Sequence, residues 1–438
     1  MRYKFAAGLL LSTSIIALLS ISGPLAVSSA QAQAAQAAQA APDVVQGMSR
    51  ERLNRIAGVM KIEVEKGTFA GAVTLIARRG EIVHFEAHGF QDAAKSKPMA
   101  KDSIFRLASM TKPIVTAAAM MLAEQGVFKI NDPIAQLLPE LKDLKVEVRK
   151  TDKDGNATIE DVPTTRPVTI QDLMRHTSGF FYAAGMRSER LKKAYEEANI
   201  EAREQPISGD EMLSRLGQIP LAHQPGASFH YSISTDVLGL LVERATKKPL
   251  DQVLQEMLLG PLGMKDTAFW VPSERASRLA EVLDSDPAKK GSLRACTTES
   301  EIRKSYFKGG SGLCGTAADY IKFLQMIANG GVFEGRRYLS RKTVEFMLQD
   351  HTIGMGGSTA ASTGPGYGFG LGFAIRLHDG FGWSPGSKGD AMWGGAYGTS
   401  FTIDPREGLV AIQMTQGAAP RLQSRHLFKN LIYAAMVE

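Results

Sequence analysis

The order of strand-like and helix-like stretches is the strongest constraint on how this chain folds. Strand patterns sit toward both ends, and helical ones fill the middle. Ala70 to Arg78 and Ile82 to His88 read as two strands joined at Arg79-Gly80-Glu81. Short strands return around Gly312, at Gly370 to Leu377, Ser400 to Ile403 and Leu409 to Thr415. Between them, helical spacing runs through Ser109 to Gln125, Ile170 to Arg175, Glu189 to Ala198, Asp210 to Leu216, Thr235 to Thr246 and Leu250 to Leu258. A hairpin signal, Asp154-Gly155-Asn156 between Val146 to Arg149 and Ala157 to Val162, interrupts that run. An amphipathic helix over 47–66 precedes the first strand, and helices at Ala317 to Asn329 and Ser424 to Val437 complete the pattern. Strands from the two ends therefore share one antiparallel sheet, flanked by helices, with a mostly helical lobe inserted. This is an α+β fold: an α/β lobe from about 47–108 and 265–438, and a helical lobe over about 109–264. The cleft between lobes is the expected site. The Gly/Ser/Thr-rich run from Gly354 to Gly370 reads as a loop lining or covering it.

Residues 1–34 read as a signal peptide, not as fold. Arg2 and Lys4 precede an apolar stretch from Phe5 to Ile21, followed by Ala30-Gln31-Ala32 and Ala32-Gln33-Ala34 as small-residue cleavage sites. The alternative is an uncleaved anchor, but Ser and Thr interrupt the stretch. No Cys follows it that could carry lipid. Residues 35–46, rich in Ala and Gln, read as a flexible tether before the catalytic domain at 47–438. The expected product is secreted or periplasmic, with no stable membrane insertion after cleavage. The formal charge of +6 loses two units with Arg2 and Lys4, leaving about +4. With no basic run, that excess gives no footprint for nucleic acid. Cys296 and Cys314 are free to pair in an oxidising compartment or to remain as two buried thiols. Oligomeric state is left open.

Three short stretches carry candidate chemistry. Ser109-Met110-Thr111-Lys112 opens a helix, and the three-residue spacing puts the Ser hydroxyl and the Lys amine on one face. A Ser hydroxyl needs a base to become a nucleophile, and a Lys can serve. Tyr231 follows Pro225-Gly226 at a loop-to-helix junction. Trp393-Gly394-Gly395-Ala396 lies beside a strand, where paired glycines permit close backbone approach to a ligand. Other patterns are set aside. Gly382-Trp383-Ser384-Pro385-Gly386 matches a nucleophile elbow but lacks the helix that must come directly after it. His84, Glu86 and His88 share a strand face, read as solvated and not as a metal site. His176 reads as a residue fixing a turn. The glycines 366, 368, 370 and 372 precede a strand, so they are no dinucleotide fingerprint. No cofactor and no metal are expected.

Together, Ser109-x-x-Lys112, Tyr231 and Trp393-Gly394-Gly395 resemble the three-element layout of the serine β-lactamase and penicillin-binding-protein superfamily. His176-Thr177-Ser178-Gly179, Gly312 to Tyr320, Gly366 to Gly372 and Asp404-Pro405 fit in the same order, so the likeness spans about 50–435. It implies a β-lactamase-like fold. Penicillin-recognising members usually carry Tyr-x-Asn or Ser-x-Asn and then Lys-Thr-Gly. This chain has Tyr231-Ser232-Ile233 and Trp393-Gly394-Gly395, so the amide and the cation are both missing. An indole cannot replace a cation facing a carboxylate. The pattern is most similar to the family VIII carboxylesterases. The resemblance implies Ser109 as nucleophile, Lys112 and Tyr231 as general base and acid, and the backbone N–H groups of Ser109 and Ala396 as oxyanion hole. Trp393, Gly394 and Gly395 would bind substrate, a small uncharged ester. Alternatives kept open are a β-lactamase or D,D-peptidase, an acyltransferase, and a non-catalytic penicillin-binding-like sensor.

Overall fold

The computed structural model describes residues 43–438, apart from 152, 154, 203–204, 288–295 and 418–420. The expected signal peptide, most of the tether and Asp154 of the hairpin signal lie outside the described residues.

Seven strands form one antiparallel sheet: β1 (Gly71–Arg78), β2 (Glu81–Gly89), β3 (Tyr367–Phe369), β4 (Ala374–Arg376), β5 (Ala391–Gly394), β6 (Ser400–Asp404) and β7 (Leu409–Thr415). Their order is β3-β4-β5-β6-β7-β1-β2, so the two ends of the chain meet at β7 and β1, as the sequence pattern requires. That junction runs from Leu409↔Arg78 to Thr415↔Ala72. Every residue of β1 and β7 is buried, which explains why both read as nearly unbroken apolar runs.

Five helices position the site: α1 (Arg50–Glu65), α2 (Thr111–Glu124), α3 (Ser234–Thr246), α4 (Ala317–Ala328) and α5 (Arg421–Ala434), of which α1, α4 and α5 pack directly against the sheet. The side chains of Ser49 and Thr316 accept backbone N–H groups at the starts of α1 and α4, fixing where each begins. Alternate residues of β1 then sort into two layers. Ala72 and Ile76 pack with Leu53, Ile56, Met60, Phe428 and Ile432, from α1 and α5. Val73, Leu75 and Ala77 join a second core that holds α2, α3 and α4, so the helical lobe and the sheet share one continuous interior. Among the described residues, no helix is long and apolar enough to cross a membrane.

Several local expectations need correction. The tether does not extend to 46: Val44–Val45 already pairs with Met48–Ser49, turning through Gln46 and Gly47 at positive φ. The strand expected over Gly370 to Leu377 is a hairpin arm with a bend at its start. Gly370 to Phe373 turn between β3 and β4, and Gly372, at φ +86°, lies against Thr116 and Pro113 of α2. The expected loop at Gly354 to Gly370 contains a short strand at Gly356–Gly357, a helical turn at Ala360–Thr363 and β3. Gly356–Gly357 pairs with Ser228–Phe229, so it is tied to the segment leading into Tyr231. His84 and His88 are not solvated, with exposures of only 6% and 8%. Their face of β2 lies on the α1 side of the sheet, which covers it.

Of the two states left open for the cysteines, the structure has the paired one, a disulfide with Cα atoms 5.8 Å apart. Cys314 also pairs with Arg106 in a two-residue ladder, and Leu107 N–H donates to Leu313 O at 2.9 Å. The crosslink thus anchors the strap from Leu313 to Gly315 beside the chain entering Ser109. Closing a loop of 18 residues is expected to contribute about 3 kcal/mol. The double variant Cys296→Ser/Cys314→Ser should lose about that much in urea unfolding, with an unchanged dependence on denaturant concentration.

Candidate active site

Ser109 sits in a single 3-10 turn, Ala108–Met110, immediately before α2, and not on the α-helix itself. Ala108 has φ +47°, a left-handed value that a non-glycine residue adopts only under constraint. The constraint is visible. Thr399 Oγ1 donates to Leu107 O at 3.2 Å, and Gly395 lies against Leu107 O and the Ala108 Cβ. A Cβ on Gly395 would collide with Leu107 O and Thr399 Oγ1, so only glycine lets the end of β5 approach the nucleophile's turn this closely.

Lys112, on the first turn of α2, is 0% exposed. Its Nζ lies 3.4 Å from Ser109 Oγ, 3.1 Å from the Tyr182 hydroxyl and 2.8 Å from Gly310 O. The structure therefore brings Ser109 and Lys112 together as their spacing predicts. It also adds three groups that the sequence did not single out. Tyr182 is one, its phenol held protonated because burial and the nearby Asp236 push its pKa well above the ordinary value. Gly310 is the second; any Cβ there would strike the Asp236 carboxylate. Asp236, buried on the first turn of α3, accepts the Gly310 N–H at 3.1 Å. Its pKa is raised by burial and opposed by the charge of Lys112. Gly310 thus links the amine to a buried carboxyl group, through its C=O on one side and its N–H on the other.

Tyr231 packs against Lys112 through its ring, with Nζ 4.7 Å from the centroid. The phenol does not bond to the amine: its hydroxyl is buried with no protein partner. The ring is walled by His176, Tyr182 and Trp393, with centroids 4.8, 5.6 and 5.2 Å away. Trp393, 2% exposed on β5, also leaves its indole N–H unpartnered. Ile233, standing where an Asn would meet a β-lactam side chain, is buried in the core. His176 does fix a turn: its Nδ1 lies 3.1 Å from Ser232 Oγ, which continues through Ser234 to Ser178 at 2.6 and 2.8 Å. Burial and the Lys112 charge hold its pKa well below the ordinary value, so it is a neutral ring.

Ala396 is exposed just past β5, and Gly395 N–H donates to Thr399 O at 2.8 Å, which curls the backbone there. Arg425, from α5, packs behind this turn and donates to Gly395 O and Thr399 O. Burial brings its pKa down to about 10. Its guanidinium occupies the space a Cβ on Gly394 would need. The nucleophile-elbow pattern is no competitor. Ser384 Oγ reaches His426 Nδ1 at 3.2 Å, but the charged groups acting on His426 are the cations Lys429, Arg425 and Arg376, with no carboxylate to orient it.

The antiparallel sheet flanked by helices is a β-lactamase-like fold, and it sets the buried Lys112 against Ser109 at the entrance to α2. The Beta-lactamase family model matches residues 54–434, and the chain belongs to that family. It is 32% identical to Esterase EstB of Burkholderia gladioli over 83% of this chain and 90% of that protein. Among solved structures it resembles EstCE1, a hydrolase with promiscuous acyltransferase activity, at 28% identity and a TM-score of 0.73, covering 89% of this chain and 99% of that one. It also resembles simvastatin synthase (LovD) from Aspergillus terreus, at 25% identity and a TM-score of 0.70, covering 87% and 98%. These relatives support a serine hydrolase of esterase type acting on small molecules, with acyl transfer within the same group.

This geometry has two measurable outcomes. Asp172 accepts bonds from Arg166, Arg175, Thr169 and Thr177 and holds the His176 to Gly179 turn. Burial pushes its carboxyl up, but the Arg166 bond and the Thr169 and Thr177 donors outweigh that and bring it to about 2. A depressed carboxyl stabilises the fold above its unfolded pKa, so this contribution should disappear as pH falls from about 4 to about 2. Asp172→Asn should cost about 3 kcal/mol in neutral denaturant melts and flatten that acid limb. Tyr182→Phe removes one partner of the Lys112 amine; kcat on an activated ester should fall about tenfold, with KM within about twofold.

Proposed function

We propose that this chain is an exported serine carboxylesterase that cleaves short-chain esters through an acyl-enzyme on Ser109. The observation that carries this reading is Lys112: fully buried, with its Nζ 3.4 Å from Ser109 Oγ. Lys112 Nζ takes the Ser109 proton while Oγ attacks the ester carbonyl. The backbone N–H groups of Ser109 and Ala396 hold the oxyanion. Tyr231, whose hydroxyl has no protein partner, hands a proton to the departing alcohol and recovers one through Lys112. Water then releases the acid. Trp393, Gly394 and Gly395 form the adjoining wall. With Ile233 buried and Trp393 in place of a cation, the pocket offers neither the amide nor the charge that a β-lactam needs. Carboxylesterase specificity is supported by the likeness to EstB. Export is supported by the N-terminal pattern in the sequence and by the Cys296–Cys314 disulfide. A second reading, transfer of the acyl group to an alcohol, is favoured by the likeness to EstCE1 and LovD, which are described as having acyltransferase activity and as a synthase.

The test compares short-chain p-nitrophenyl esters with a chromogenic cephalosporin, using wild type and Ser109→Ala. Ester turnover should dominate and fall at least about a thousandfold in the variant. Near-native turnover by Ser109→Ala would sink the mechanism, and cephalosporin turnover far above ester turnover would sink the esterase assignment. Adding a primary alcohol separates the two fates of the acyl-enzyme, because a transferase forms the new ester in place of the free acid.

A further inference from the structure

The buried face of β2 carries a set of groups with no part in the chemistry above. His84, Glu86 and His88 alternate along the strand, so their side chains share one side of the sheet. Thr74 of β1 stands directly opposite Glu86 in the register. Its Oγ1 lies 2.7 Å from His84 Nε2 and 2.8 Å from His88 Nε2. The two rings are nearly parallel, at 15°, and both Nε2 atoms converge on the Thr74 hydroxyl. One ligand atom from each of His84, Glu86 and His88 falls within 4.8 Å of the others.

We propose that His84, Glu86 and His88 bind a divalent transition-metal ion, with zinc the best match. Two imidazole nitrogens and one carboxylate oxygen are a ligand set zinc commonly takes, with metal–ligand distances of about 2.0–2.2 Å. Ligands at those distances in a tetrahedron sit roughly 3.3 Å apart, so three ligand atoms already within 4.8 Å of one another must draw together by about 1.5 Å or less. Glu86, half-buried, supplies negative charge toward the dication. Thr74 holds the rings in register when no ion is bound: its single proton serves one nitrogen while its oxygen accepts from the other ring. β2 pairs on one side only, with β1, so the site is at an open sheet edge. Three strands (β6, β7 and β1) separate it from β5, which carries Trp393. All three ligands come from β2, so an ion here would tie positions 84, 86 and 88 of the edge strand to one another. This departs from the expectation of a solvated face without metal, which missed the burial.

The experiment uses the full chain, stripped with EDTA, equilibrated with ZnCl2, dialysed, and assayed for bound zinc and for melting temperature. Wild type should hold one zinc per chain and melt several degrees higher than the stripped protein, with the shift growing with free zinc. The His84→Gln/His88→Gln protein should hold none and show no shift. Thr74→Val keeps all three ligands and removes only the competing hydroxyl, so it should bind zinc at least as tightly as wild type. Two results overturn the proposal. One is wild type with no zinc above background and no shift. The other is zinc retained by the His84→Gln/His88→Gln protein. Both wild-type readouts stand even if a variant fails to fold. Tetrahedral cobalt absorption in the wild type, absent in Glu86→Gln, reports the carboxylate ligand directly.

Discussion

A lysine side chain with no exposed surface is the constraint around which the rest of this interior is arranged. The Lys112 Nζ needs partners, and the fold supplies them from the adjoining Ser109 turn and from two distant segments, at the Tyr182 hydroxyl and the Gly310 carbonyl. Each then needs support of its own. Gly310 can approach only because it lacks a Cβ, and its N–H is taken by Asp236 at the start of α3. The strap from Leu313 to Gly315 is bonded to Thr111 on one side and to the Phe105–Arg106 strand on the other. Removing the amine would leave a Gly carbonyl and a phenol facing an apolar void.

The other wall of the site is set by backbone proximity, not by charge. Gly395 touches the turn that presents Ser109, and Gly394 touches the Arg425 guanidinium. Arg425 thereby places a cation behind the strand, on the side away from the cleft, where it braces the Gly395 and Thr399 carbonyls. The face toward the cleft is aromatic: Trp393, Tyr231 and Phe369 pack edge to face and tilted. A charge is present near this motif, but it serves geometry and not ligand recognition.

The features legible in the sequence are local or periodic. Ser109 and Lys112 are three residues apart, so helical geometry alone brings them together. The strands at both ends are readable because β1 and β7 are apolar throughout. Tyr182 and Gly310 lie 70 and 198 residues from Lys112, and no spacing rule connects them. Arg425 sits on an ordinary-looking helix, and only the sheet order brings it beneath β5. The alternation His84-x-Glu86-x-His88 does mark one strand face. Which layer covers that face is a tertiary fact, decided by α1, and its polar residues give a false impression of solvent. The bend at Gly370 to Phe373 escapes a sequence reading because a hairpin arm and a single strand share the same apolar composition.

The meeting of β1 with β7 has a consequence for how the molecule comes into being. Arg78 pairs with Leu409, roughly 330 residues further along the chain. A polypeptide emerging from the ribosome therefore carries its N-terminal hairpin for most of synthesis with α1 available to cover one face but with the β7 edge of β1 open. The sheet becomes whole only when the last strand and the closing helix arrive. Until then, the edge of β1 waits for a native partner that is made almost last.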